Sequence, residues 1–312
     1  MIPKLELQRG IVVTPLYDPT GQALKLFGAT AASVLGQREV DFDWIISVQA
    51  CHASYGPLLT RLGRDPIVFV RETQDVQDLH GHLTYLMQSQ NEHGWMHILC
   101  QDDRYSFANS LRCIVDALAT CDAVFVRPQL ANDIEVPGES AELGCENLSH
   151  GNNPPTLHIE RSPPATEIAG VNRFGGLSTV ALRTSIASGI ELSLDLLSDL
   201  ELRRKARECS SRVGVLAGGL VSEVVWHGQA QNSLSDVRHE FETWPNDSAH
   251  SCIVALRSSA TAYAYGYPEL GAVWMSQLPA FGRAFAPLFK LIGRARSMFL
   301  AAGVRRKIWC SR

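Results

Sequence analysis

Trp95-Met96-His97-Ile98-Leu99-Cys100-Gln101-Asp102-Asp103 is a short apolar run that stops at two adjacent carboxylates. An apolar stretch of this length with no helical period is the pattern of a strand buried on both faces. Outward from it the pattern repeats. Ile11 to Tyr17, Phe42 to Val48, Pro66 to Val70 and Ala123 to Val126 are further runs of strand length. Between them, residues 22–36, 78–90 and 105–119 read as helices; in the first, Leu24, Phe27, Ala31 and Val34 fall at helical spacing. Strands alternating with helices predict an α/β fold around a mostly parallel sheet, with helices on both faces.

In such sheets ligands sit outside the carboxyl ends of the strands. The polar residues just after each run are therefore the candidates: Thr14 to Asp18, Gln49 to His52, Arg71 to Asp75 and Gln101 to Arg104. Asp102 and Asp103 stand out, because two neighbouring carboxylates at the end of a buried strand repel each other and are costly to desolvate. Position alone leaves two roles open. They hold a hard divalent cation, Mg²⁺ or Mn²⁺, that bridges a diphosphate, or they cap the next helix. Asp199, at the start of a polar helix over 198–209, is likewise a first-turn residue or a general base. His227 follows the strand-like stretch Val221 to Trp226 and opens a polar loop, as a structural residue or as a metal or phosphate contact. Residues 129–172, with Pro154-Pro155 and Pro163-Pro164, read as a long surface loop with one short strand near Thr156 to Ile159. A helix is expected directly after Thr179.

Composition narrows the class. Among 312 residues, 46% are hydrophobic, too many for a disordered chain. The 28 Lys and Arg against 32 Asp and Glu give a formal net charge of −4, spread unevenly. Gly271 to Arg312 holds eight basic residues and no acid, which leaves the other 270 residues with 20 basic against 32 acidic. So acidic a body argues against a general nucleic-acid binder. There is no Gly-rich loop followed by Lys and no G-x-G-x-x-G, which removes the P-loop and dinucleotide readings. The eight cysteines form no C-x-x-C pair, and Met1 to Gln8 holds no apolar signal core. A reducing, cytoplasmic setting fits both.

Taken in order, these segments resemble the family 2 glycosyltransferases of the GT-A fold. Val13-Thr14-Pro15-Leu16-Tyr17 looks like that family's first strand. Ser33-Val34-Leu35-Gly36-Gln37 followed by Phe42-Asp43-Trp44-Ile45-Ile46 is similar to its first helix end and second strand. Leu99-Cys100-Gln101-Asp102-Asp103 looks like the metal-binding D-x-D region in its QDD form. Phe174 to Arg183 resembles an acceptor-side segment, Leu197 to Leu202 the segment with the catalytic base, and Val225-Trp226-His227 with Gln231 and Ser233 the stretch that closes the catalytic domain. The resemblance covers about residues 10–235 of the chain.

The resemblance implies a GT-A type, Rossmann-like sandwich that moves a sugar from a nucleoside diphosphate sugar to an acceptor hydroxyl. Asp103 with Asp102 would hold Mn²⁺ or Mg²⁺, and His227 would sit near the same ion. Asp199 would be the base of an inverting displacement. Thr14, Pro15 and Tyr17 would line the nucleotide pocket, with Gln49, Gln101 and Asp102 also on the donor. The chain departs from the family at Val48-Gln49-Ala50-Cys51, where an acid for the nucleotide is usual. Gln49 can still hydrogen-bond a base edge, but without a charge-assisted contact. Two other readings stay open: a sugar nucleotidyltransferase, and a non-catalytic partner in glycan assembly. The expected organisation is a catalytic domain over 1–240 and an extension over 241–312 with a short helical tail. Basic and apolar residues mix over 278–312, so this tail either contacts an anionic membrane peripherally at its inner face or packs on the core. A saccharide or lipid-linked acceptor, in polysaccharide or envelope glycan synthesis, would give membrane contact a purpose.

Overall fold

The structure, a computed structural model, describes residues 9–73, 78–90, 92–132, 155–160, 176–193 and 198–225, with single positions 272, 287 and 291. The chain divides into two compact units, Met1–Pro163 with Arg173–Ala230, and Pro164–Asn172 with Gln231–Arg312. All elements below belong to the first.

In chain order they are β1 (Gly10–Asp18), α1 (Leu24–Leu35), β2 (Phe42–Cys51), a 3-10 turn (Ala53–Tyr55), α2 (Gly56–Leu62), β3 (Val68–Glu72), α3 (Leu79–Gln88) and β4 (Trp95–Ile98). Then come β5 (Arg104–Tyr105), α4 (Ser110–Leu118), β6 (Ala123–Val126), β7 (Gln129–Asn132) and β8 (Thr156–Glu160). A second 3-10 turn (Leu177–Thr179), β9 (Val180–Arg183), α5 (Thr184–Ala187), α6 (Ser198–Glu208), β10 (Val213–Ala217) and β11 (Val221–Val225) complete the set.

Eight strands form one sheet in the order β3-β2-β1-β4-β9-β6-β10-β8. β1 pairs in parallel with β2 and β4, β2 with β3, and β6 with β10. β9 runs antiparallel between β4 and β6, and β8 antiparallel at the edge. The period-2 alternation of the strands divides the core in two. Val12, Leu16, Trp44 and Ile46 pack with Phe27, Val34, Leu62, Leu111 and Leu118 of α1, α2 and α4. Ile11, Val13, Ile45 and Met96 pack with Leu83, Leu86, Ala187, Leu202 and Ala206 of α3, α5 and α6. Each Val, Leu, Ile, Phe or Met side chain among them, fully buried, contributes about 1.5–3 kcal/mol. This is the expected α/β sandwich, helices on both faces.

Three local features differ from the sequence reading. Residues 180–183 are a strand, not the start of a helix, because their alternating apolar side chains fill the gap between β4 and β6. Residues 104–105 form β5 before α4 begins at Ser110. Gln129–Asn132 is a strand at the start of the expected loop, joining β5 and β11 in a small second sheet ordered β5-β11-β7. That sheet has a polar spine: the Gln129 amide donates to Ser222 at 2.7 Å and to Ser106 at 3.1 Å, and the two serine hydroxyls lie 2.8 Å apart.

Candidate functional site

The carboxyl ends of β1, β2, β3 and β4 lie along one edge of the sheet, and β4 leads straight into Gln101-Asp102-Asp103. The loop is held from two sides. From α1, the Thr30 hydroxyl lies 2.7 Å from the Asp103 carbonyl oxygen and 2.9 Å from that of Gln101. Two residues further on, the Tyr105 amide donates to Ser33 Oγ, also of α1, at 3.1 Å. From the turn before β9, Ser178 Oγ accepts from the Cys100 amide at 2.8 Å and donates to Asp103 Oδ2 at 2.5 Å. Asp103 is 7% exposed. Its neighbour Asp102 is half-buried and close enough to Tyr55 to help raise that hydroxyl's pKa, after burial and Asp18.

Gln101 does a different job. Its side-chain amide clamps the backbone of Tyr17, accepting from the amide at 2.8 Å and donating to the carbonyl at 3.0 Å. The two strand ends are thereby tied where the β1–β4 pairing has stopped. Tyr17 itself is 57% exposed, the only residue of β1 that turns outward. Thr14 and Pro15 are buried, and the Thr14 hydroxyl accepts from the Trp44 indole at 3.0 Å. That hydroxyl locks β1 to β2 inside the core. Gln49 is the extra residue of a β-bulge: Leu16 pairs with Val48 and Tyr17 with Ala50. Bulges re-aim a side chain out of the regular pleat, so the departure from the family pattern falls at the irregular point of the sheet.

Asp199 lies in the first turn of α6, 2.7 Å from the guanidinium of Arg203 one turn on, whose Nε donates to the Asp199 carbonyl at 3.0 Å. Arg203 is almost wholly buried, whereas the Asp199 side chain is 20% exposed. α6 packs against the turn that carries Ser178. The next acid, Glu201, is structural: it accepts from the amide and hydroxyl of Ser193 at 2.9 and 2.8 Å and meets Lys205 at 2.9 Å. Burial raises its pKa, but Lys205 and Ser193 outweigh that and hold it below the usual carboxylate range. His227 lies outside the described residues, as does nearly all of 278–312.

Asp18, inside a range the sequence flagged, is an organiser that the sequence reading did not single out. Its Oδ1 accepts from the Thr20 hydroxyl and Gly21 amide at 2.8 and 2.9 Å, its Oδ2 from the Ala23 amide and Tyr55 hydroxyl at 2.8 Å each. Burial opposes its ionisation, yet Tyr55, Ala23, Thr20 and Gly21 together leave its pKa lowered. The signal was present in Asp18-Pro19-Thr20-Gly21, an Asx-turn pattern. Gly21 sits at φ 79°, where a glycine is at ease.

Among the described residues no group of three or more His, Cys, Asp or Glu side chains is placed to hold a metal ion. The donor set at Asp102 and Asp103 is nevertheless hard oxygen, which suits Mg²⁺ or Mn²⁺, and such ions complete their shells with waters and substrate phosphates. No described helix is long and apolar enough to cross a membrane.

No family model and no curated protein sequence matches the chain. Solved structures do. S. aureus TarS 1-349 in complex with UDP-GlcNAc aligns over 93% of this chain and 88% of its own, at TM-score 0.60 and 13% identity. The mannosyltransferase PcManGT from Pyrobaculum calidifontis, in complex with GDP-Man and Mn²⁺, aligns over 95% and 88%, at TM-score 0.54 and 12% identity. The chain has the fold of these glycosyltransferases, a GT-A type sandwich.

Proposed function

We propose that the chain is a glycosyltransferase that moves a sugar from a nucleoside diphosphate sugar to an acceptor hydroxyl, with inversion. The carrying observation is Asp103, buried and oriented at the carboxyl end of β4, with Asp102 beside it. The donors in the TarS and PcManGT complexes support the substrate class, and the Mn²⁺ of the second supports the cation.

Asp102 and Asp103 would hold Mn²⁺ or Mg²⁺, which supplies positive charge to the diphosphate as it leaves. His227 is assigned to the same region. The nucleotide contacts proposed at Thr14, Pro15 and Tyr17 narrow to Tyr17, the exposed one, with Gln49 at the bulge and Gln101 fixing the Tyr17 backbone. Asp199 takes the acceptor proton. Its ion pair with Arg203 fixes the carboxylate's rotamer. A base opposite the leaving group gives single displacement and inverted configuration. The chemistry is assigned to residues 1–240, and the basic segment 278–312 to docking on an anionic membrane or lipid-linked acceptor in glycan synthesis.

The test is a panel of UDP- and GDP-sugars, followed for hydrolysis and transfer with and without Mn²⁺. Asp103→Asn and Asp199→Asn should each abolish turnover in protein that still folds by circular dichroism, with a Tm lowered by the loss of one charge-assisted bond. Full activity in Asp199→Asn removes it as the base. Full activity in Asp103→Asn removes the proposal.

A further inference from the structure

Behind Asp103 lies a chain of buried polar groups that the reaction does not itself use. His97, in the middle of β4, has Nδ1 2.7 Å from the Tyr105 hydroxyl and Nε2 3.0 Å from the Ser178 carbonyl oxygen. A carbonyl oxygen only accepts, so Nε2 carries the proton and Nδ1 accepts from Tyr105. His97, Tyr105 and Ser178 are each 0% exposed. Burial lowers the imidazole to about 4, against a weaker opposing effect of the Ser178 carbonyl, so the ring is neutral near pH 7. The hydroxyl of that same Ser178 donates to Asp103 Oδ2.

The run Tyr105, His97, Ser178, Asp103 therefore joins three segments: β4, which precedes the acidic loop, β5, which follows it, and the turn before β9. Polar groups this deep cost more than apolar packing unless each is satisfied. Here every link has its partner, and the run ends on the carboxylate. Packing alone gives no reason for an imidazole at this position, since Leu or Met would fill the same layer. An oriented donor to the Ser178 main chain does, because it sets where the Ser178 hydroxyl stands.

We infer that His97 and Tyr105 are positioning residues that act through Ser178 to fix the Asp103 carboxylate for cation and diphosphate binding. The inference rests on the proposed role of Asp103. It has a close physical parallel in metal sites, where partners outside the ligand shell orient the ligands, and their loss weakens metal affinity about 10–100-fold.

The experiment measures Mn²⁺ affinity of the full chain by electron paramagnetic resonance, with UDP or GDP present, beside the Tm of the metal-free protein. Ser178→Ala should weaken Mn²⁺ binding about tenfold. Tyr105→Phe keeps the ring and the fold, and should weaken it in the same direction by less. His97→Gln, which keeps a donor for the Ser178 carbonyl, should stay nearer the parent than His97→Leu. A lowered Tm with unchanged Mn²⁺ affinity in Ser178→Ala and Tyr105→Phe would make the network merely structural and overturn the inference. A parent protein that binds no Mn²⁺ with either nucleotide would instead overturn the reading of Asp103, and the inference with it.

Discussion

Replacing Asp18 by Asn changes one atom and should cost about 3 kcal/mol. The carboxylate takes four hydrogen bonds, two on each oxygen. In its best orientation the Asn oxygen keeps the buried donors, the Ala23 amide and Tyr55 hydroxyl. Both bonds fall from charge-assisted to neutral, a loss of roughly 1 kcal/mol each. The new NH₂ then faces Thr20 and Gly21. The threonine hydroxyl turns to accept, but the Gly21 amide has no such freedom and loses its partner, at about 1–3 kcal/mol before solvent relief. For a unit of about 220 residues, roughly 3 kcal/mol lowers the Tm by about 6–12 °C. The pH dependence gives a second check. The folded pKa of Asp18 is lowered, so its stabilisation is complete above the ordinary aspartate value of about 3.9. It is lost as pH falls through the lower folded value. Thermal melts of parent and Asp18→Asn should therefore differ most near neutral pH and converge in acid. A Tm drop under about 2 °C, or a difference that does not shrink in acid, refutes the assignment.

Gly10→Ala should destabilise by about 3 kcal/mol or more by chemical denaturation, since its Cβ would lie 1.8 Å from the Trp95 indole, a ring packed in the core with little room to move aside. His97 is neutral when folded, with its pKa lowered to about 4 from 6.5, so its stabilisation is present above pH 6.5 and fades as pH falls through 4. The difference is about 3 kcal/mol; the parent's Tm should fall across that window, while His97→Gln follows a flatter course. Gln101→Ala removes both bonds to the Tyr17 backbone, and should cost about 1–2 kcal/mol in denaturant and weaken UDP or GDP binding in a thermal-shift titration.

Much of the fold was legible because burial on both faces leaves a plain mark. β1, β4 and β6 are apolar runs that begin and end within a residue or two of where they were expected, and β2 starts at the expected Phe42 but runs three residues further, to Cys51. Strand order was not legible. Nothing local to Val180–Arg183 says that it enters the sheet between β4 and β6, because the partners that make it a strand lie more than 50 residues away. For the site, Asp102 and Asp103 were visible as adjacent carboxylates after an apolar run. Ser178 was not, since a serine in Gly175-Gly176-Leu177-Ser178-Thr179 looks like any turn residue until the fold brings it to Asp103. His97 was the missed clue, a lone imidazole in an otherwise apolar strand. Thr14 carries a bond the sequence did not show: its hydroxyl accepts from the Trp44 indole inside the core.

The late arrival of β9 has a consequence during synthesis. His97 pairs with Ala181, 84 residues downstream. At ribosomal speeds of about 5–20 residues per second, β4 emerges roughly 4–17 s before the strand that covers its open edge. Through that interval the growing chain carries an unpaired, apolar border, the kind of surface that chaperones cover and that neighbouring nascent chains join. Ser178 is made in the same late stretch, so a fragment released early would carry the acidic loop with its clamp missing.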